Sequence, residues 1–161
     1  MRKKKRWSEK DRLTNDEYFM RLAHLIKMRS TCIRNQVGAV LVRNKRIIAT
    51  GYNGAPKGIE HCFTRGCLRE KLNIPSGERH ELCIGVHAEQ NAVIQAAVFG
   101  VSVAGGTLYT THFPCVVCAR ILINAEIAEI VYDQGYPDDL SRQLLKESKI
   151  KIRQYTPRSA F

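Results

Sequence analysis

Phe19, Leu22, Ala23 and Ile26, with Met20 beside them, recur at helical spacing and predict an amphipathic helix over about 15–29. Thr14 and Glu17 stand as a Thr-x-x-Glu capping box at its start. The pattern then shortens to a valine-rich apolar strand over 36–42. Asn44-Lys45 supplies a turn, and 46–51 runs back to complete a hairpin. Across 53–84 regularity fails: Gly54, Pro56, Gly58, Gly66, Pro75 and Gly77 interrupt the chain, and Cys62, Cys67, His80 and Cys83 punctuate it. A loop of that length inside a compact domain needs an organiser, such as a metal or a ligand. Beyond it, Ala, Val and Ile predict a helix over 87–99 that Gly100 stops. A strand over 106–110, a helix over 115–124, a strand over 129–132, a helix over 138–146 and a strand over 149–154 follow. The order α-β-β-α-β-α-β-α-β predicts a three-layer α/β/α fold, with a mixed, mainly five-stranded sheet covered by helices on both faces. One domain is expected over 13–156, between a basic tail at 1–12 and a short tail at 157–161.

Composition narrows the class. The chain has 161 residues, a length that buries a sizeable core without disulfides. No apolar run approaches the roughly 20 residues of a membrane span, and no secretory leader is visible at the N-terminus. Six cysteines are then expected as thiols or metal ligands in a cytoplasmic protein. The formal net charge is +11, and residues 1–12 carry seven of the basic side chains against Glu9 and Asp11. Such a balance favours anionic partners: nucleic acid, nucleotides or a phosphorylated substrate. For the tail itself, nucleic-acid binding and simple solubility both remain open.

The chemistry concentrates in His87-Ala88-Glu89 and Pro114-Cys115-Val116-Val117-Cys118. One imidazole and two thiolates make a three-ligand zinc site whose fourth tetrahedral position holds water. Two thiolates balance the charge of the ion, and the bound water ionises near neutral pH. Cys115 and Cys118 share one face of a first helical turn, where the helix dipole favours thiolate. His87 likewise opens a helix. Glu89, two residues on, is placed to take the water's proton and pass it to the substrate. A lone CxxC is often redox-active or structural, but a thioredoxin-like order of strand and helix is absent here.

His-x-Glu followed by Pro-Cys-x-x-Cys is the signature of zinc-dependent nucleobase deaminases. With it, the chain resembles the cytidine deaminase-like superfamily and, within that, the deoxycytidylate (dCMP) deaminase family, over about residues 15–155. Val37-Gly38-Ala39-Val40, Gly51-Tyr52-Asn53-Gly54-Ala55-Pro56 and His87-Ala88-Glu89-Gln90-Asn91 carry the likeness. The 53–84 stretch, with Gly66-Cys67-Leu68-Arg69 and Ile74-Pro75-Ser76-Gly77, looks like bacterial members encoded with competence genes. The resemblance implies hydrolysis of dCMP to dUMP and ammonia, feeding thymidylate synthesis. It also implies that Asn53 binds the nucleotide, that Ala88 meets the pyrimidine through its backbone, and that Tyr136 packs against the substrate.

Some relatives in that family carry a second, structural zinc, and Cys32 and Cys62 match its cysteine positions. With His80-x-x-Cys83 at metal-ligand spacing, Cys32, Cys62, His80 and Cys83 would close a four-ligand site, with Cys67 as the competing ligand. The alternative is four small buried hydrophobes. The resemblance further implies a homo-oligomer, a hexamer rather than a dimer, and control by dCTP or dTTP with Mg²⁺. The apolar 115–124 segment would supply a face for self-association. Two rival functions stay open: a deaminase of another base, nucleoside or nucleic acid, and a DNA-uptake accessory protein that retains the fold. Glu89 argues against the second, since a pure binder needs no proton shuttle.

Overall fold

Thr14 caps the first helix as the sequence predicts. Its hydroxyl accepts from the Glu17 N–H at 3.2 Å, and its own N–H donates to the Glu17 carboxylate at 2.7 Å. The helix, α1, runs Asn15–Lys27 in the computed structural model, which describes residues 6, 8–135 and 138–158. Half of the basic tail (residues 1–5 and 7), residues 159–161, and Tyr136 with Pro137 lie outside the described residues.

Strands β1 (Gly38–Arg43) and β2 (Arg46–Tyr52) form the expected hairpin. Asn44 and Lys45 both take positive φ, 51° and 60°, the left-handed turn that matches strand twist in a two-residue connection. After β2 the chain makes helical turns at α2 (Cys62–Arg65) and α3 (Leu68–Lys71), then a 3-10 turn at His80–Leu82. This corrects the expectation of an irregular 53–84 loop. Helix α4 (Ala88–Val98), β3 (Thr107–His112), α5 (Val116–Asn124), β4 (Glu129–Gln134), α6 (Asp139–Glu147) and β5 (Lys151–Gln154) complete the chain.

The sheet has the order β2-β1-β3-β4-β5. β1 is antiparallel to both neighbours, while β3, β4 and β5 run parallel. Because side chains alternate along a strand, β1 feeds two cores. Ala39 and Leu41 pack with Ala88, Ala92, Leu122 and Leu145 of α4, α5 and α6. Val40 and Val42 face Phe19, Met20 and Ala23 of α1. Helices therefore cover both faces, as predicted.

Two glycines set how closely those helices approach. A Cβ on Gly38 would lie 2.1 Å from the Ala23 carbonyl oxygen in α1. On Gly51 it would lie 2.1 Å from the Ala88 carbonyl oxygen and 2.5 Å from the Ala92 nitrogen in α4. Only a residue without a side chain lets the start of α4 rest directly on β2.

The segment between β2 and α4 is closed at its neck by Gly54 and Val86, whose backbones exchange hydrogen bonds of 3.1 and 2.8 Å. Between residues 55 and 86 only Cys62 and Arg69 are buried. The turn at Ile74 and Pro75 is tethered from two sides. Arg34 donates to the Ile74 carbonyl and Arg69 to the Pro75 carbonyl, each at 3.0 Å.

Candidate active site

Two helix starts meet at one point. His87 is the N-cap of α4, its backbone N–H satisfied by the Gln90 side chain at 2.8 Å. Cys115 is the N-cap of α5, and Cys118, the third residue of that helix, is fully buried. The ligand-capable atoms of these three residues all lie within 4.8 Å of one another. His87 Nδ1 is 3.4 Å from the Cys115 sulfur and 3.3 Å from the Cys118 sulfur. A tetrahedral zinc with ordinary Zn–N and Zn–S bonds needs an N···S edge of about 3.6 Å, so the trio fits the ion closely.

The electrostatics of the trio agree with that fit. Hydrogen bonds from the Cys118 thiol and from His87 outweigh burial and bring the Cys115 thiol down to about 3. Cys118 is pushed up, first by its bond to Cys115 and then by burial. The Cys115 contact raises His87, against burial. Two sulfurs compete for one proton, which is the arrangement a divalent cation resolves by taking both as thiolates. A brace behind α5 fixes the turn. Asp138 caps α6 through the Ser141 N–H at 3.1 Å and accepts from the Val116 N–H at 3.3 Å, while the Ser141 hydroxyl donates to the Pro114 carbonyl at 2.7 Å.

Glu89 is 4% exposed and reaches the Cys118 thiol, and burial pushes its carboxyl up. Glu89, His87, Ala88 and Cys115 line a cavity of about 640 Å³. Asn53 lines it as well, although most of its amide serves the fold. Its oxygen accepts from the Val37 N–H at 2.8 Å and the Ser30 hydroxyl at 2.7 Å, and its nitrogen donates to the Asn35 carbonyl at 2.7 Å. One amide hydrogen is left for a ligand.

The expected second set is not gathered to ligand distance. Among the described residues, His87, Cys115 and Cys118 form the one group of three or more metal-capable side chains that close together. His80 instead packs edge-on to His87, ring centroids 5.1 Å apart, and its buried Nδ1 has no hydrogen-bond partner. Cys32, Cys67 and Cys83 do surround Cys62 closely enough to raise its thiol, although burial is the larger cause.

Sequence reasoning missed Arg34, Arg69, His112, Phe113 and Gln134, all of which line the cavity. For His112 and Gln134 a signal existed, because they end β3 and β4, and the carboxyl ends of parallel strands are where such sheets hold ligands. Burial pushes His112 down, leaving it a neutral wall residue.

Residues 13–134 match the family model described as "Cytidine and deoxycytidylate deaminase zinc-binding region". The chain is 40% identical over 142 residues to the deoxycytidylate deaminase of Saccharomyces cerevisiae, covering 88% of this chain and 45% of that protein. It therefore spans less than half the length of the yeast relative. It is also 37% identical over 145 residues to ComE operon protein 2 of Bacillus subtilis, covering 89% of this chain and 72% of that one. Among solved structures, the dCMP deaminase of cyanophage S-TIM5 in complex with dCMP and dUMP superposes with a TM-score of 0.73 at 29% identity. That match covers 86% of this chain and 95% of the other. With its match over residues 13–134 and a closely fitting His-Cys-Cys trio, two of whose members line a cavity of about 640 Å³, the chain belongs to the cytidine and deoxycytidylate deaminase zinc-binding family.

Proposed function

We propose that this chain hydrolyses dCMP to dUMP and ammonia, with His87, Cys115 and Cys118 holding a catalytic zinc and Glu89 carrying the protons. The observation that carries the reading is a buried carboxylate beside the zinc-fitting trio, at the wall of a cavity, in a chain of this family. When bound, the zinc supplies a water that ionises near neutral pH. Glu89 takes the proton released as oxygen adds to C4 of the pyrimidine and gives it to the ring nitrogen. It then transfers the second proton to the departing amine as the C4–N bond breaks, so that water and dCMP become dUMP and ammonia. Ala88, the first residue of α4, presents its backbone to the base from a fully buried position. Asn53 offers its remaining amide hydrogen to the nucleotide, and Tyr136 is assigned to the substrate from the sequence.

The dCMP specificity is supported by the likeness to the S-TIM5 enzyme and to the yeast deaminase, both named for that substrate. A second zinc, structural in role, would draw on Cys32, Cys62, His80 and Cys83, with Cys67 as the alternative ligand; what supports it is that Cys32, Cys67 and Cys83 all lie near enough to act on the Cys62 thiol. A homo-oligomer is supported by Ile94, Val98 and Phe99, which leave an exposed apolar stripe along α4. Control by dCTP or dTTP with Mg²⁺ rests on Gly51-Tyr52-Asn53-Gly54, which closes β2 at the cavity edge. No helix among the described residues is long and apolar enough to cross a membrane.

Turnover of dCMP, deoxycytidine, cytidine, cytosine and a deoxycytidine-containing oligonucleotide, measured side by side, tests the substrate. The highest kcat/KM is expected for dCMP. Equal efficiency on dCMP and deoxycytidine would overturn the nucleotide specificity, and preference for the oligonucleotide would move the assignment to nucleic acid.

A further inference from the structure

A second concavity, of about 850 Å³, opens at the end of the sheet away from the candidate active site. β1 begins beside the first cavity, which Val37 lines, and ends at the hairpin tip, where Lys45 lines the second. The six-residue strand sets them about 20 Å apart. Three cations from three parts of the chain meet in this second pocket: Arg12 before α1, Lys45 at the tip and Arg158 beyond β5. Among the described residues none of the three forms an ion pair, and Glu9 is the one carboxylate residue lining the pocket.

The acids of the adjoining α1 turn are already committed. Asp16 is held by Arg153 and by the Tyr109 hydroxyl, and Glu17 is buried in the Thr14 cap. The hairpin tip adds Arg43 and Arg46, so residues 43–46 hold three cations and no carboxylate. Upstream of Arg12 the sequence runs Arg-Lys-Lys-Lys-Arg over residues 2–6. Tyr18 brings a different chemistry to the same place. It is 47% exposed, lines the pocket, and is braced edge-on by the buried Phe19 ring, with centroids 5.1 Å apart.

Like charges gathered without partners repel one another, and a polyanion relieves that repulsion. An open aromatic face set among cations in a concave surface matches a single strand, whose backbone takes the charges while a base stacks on the ring. A duplex keeps its base faces stacked inside, and a membrane surface calls for a broad apolar face instead of a concavity. We infer that this pocket binds single-stranded nucleic acid, with Arg12, Lys45 and Arg158 on backbone phosphates and a base stacked on Tyr18. The site is non-catalytic and stands apart from the deamination of dCMP, because it shares no residue with the cavity that Glu89 lines.

The test measures binding of a fluorescent oligothymidylate strand to the full chain by anisotropy across a salt series. The strand carries no cytosine, so the candidate active site has nothing to deaminate. Combining Arg12→Gln, Lys45→Gln and Arg158→Gln should weaken binding and flatten the slope of log K against log[salt] by about 2, at roughly 0.7 per lost phosphate contact. Tyr18→Ala should weaken binding about 5- to 100-fold with the slope unchanged, and Tyr18→Phe should bind as wild type does. Thermal unfolding midpoints near that of wild type show that the variants are folded. Binding that survives the triple substitution and disappears when residues 2–6 are neutralised would assign it to the tail and overturn the pocket. Equal affinity for a duplex, or no effect of Tyr18→Ala, would leave charge alone and overturn the stacking site. Displacement of the strand by dCMP would place it in the other cavity, which also overturns the inference. So would tighter binding to phosphatidylserine vesicles that the same substitutions weaken, since the surface would then meet a membrane.

Discussion

Replacing Glu89 with glutamine is expected to leave the zinc in place and lower dCMP turnover by about 10²- to 10⁴-fold, the range that positioned acid–base groups supply. Glutamine keeps the size and the hydrogen-bonding reach of the side chain but neither accepts nor returns a proton. The packing around a residue that is 4% exposed is therefore preserved while its chemistry is removed. The carboxylate lies outside the trio that fits the metal, so zinc content should stay near that of wild type. Metal analysis and steady-state kinetics on one preparation check both halves. Near wild-type turnover in Glu89→Gln would end the proton-shuttle assignment, and loss of zinc would move Glu89 into the ligand set.

The second large effect is expected from the sulfurs. Cys115→Ser should lose zinc and activity together. A serine hydroxyl does not ionise near neutral pH as the Cys115 thiol does, and two remaining protein ligands do not hold the ion. Cys118→Ser should do the same and also lower stability. It places a hydroxyl where the side chain is fully buried, at a cost of about 1–3 kcal/mol if unpaired. In wild type, a strong chelator should abolish turnover and added zinc should restore it. Full activity in Cys115→Ser with stoichiometric zinc would remove that residue from the site.

Local signals made most of this molecule legible. The Thr14–Glu17 capping box and the Asn44-Lys45 turn each depend on a few adjacent residues, and the structure contains both as read. The His87 and Cys115 helix starts were legible for the same reason, because motif and secondary structure coincide there. The segment between β2 and α4 was not. Its helices are four residues long, shorter than any periodic pattern can register, and its fixed points are tertiary. Arg34 and Arg69 look like ordinary surface cations until their burial and their shared turn are seen. For His80, the i, i+3 spacing with Cys83 says nothing about ring direction. Arg79 before it is left-handed, at φ 49°, and the His80 ring packs edge-on to His87.

The neck closed at Gly54 and Val86 separates two groups of cavity-lining residues along the chain. One group stands on β1, β2 and α4, tied to both cores. The other contributes only Cys62 and Arg69 to the interior between residues 55 and 86, so little apolar contact opposes its opening. That segment can exchange its amide hydrogens through sub-global openings while His87, Cys115 and Cys118 stay in register. Its exchange is expected to run well ahead of β1 and β3 in the free protein and to slow when a nucleotide is held. The reacting groups would then keep their geometry through each cycle of entry and release, with the ordering cost of binding falling on the segment between β2 and α4.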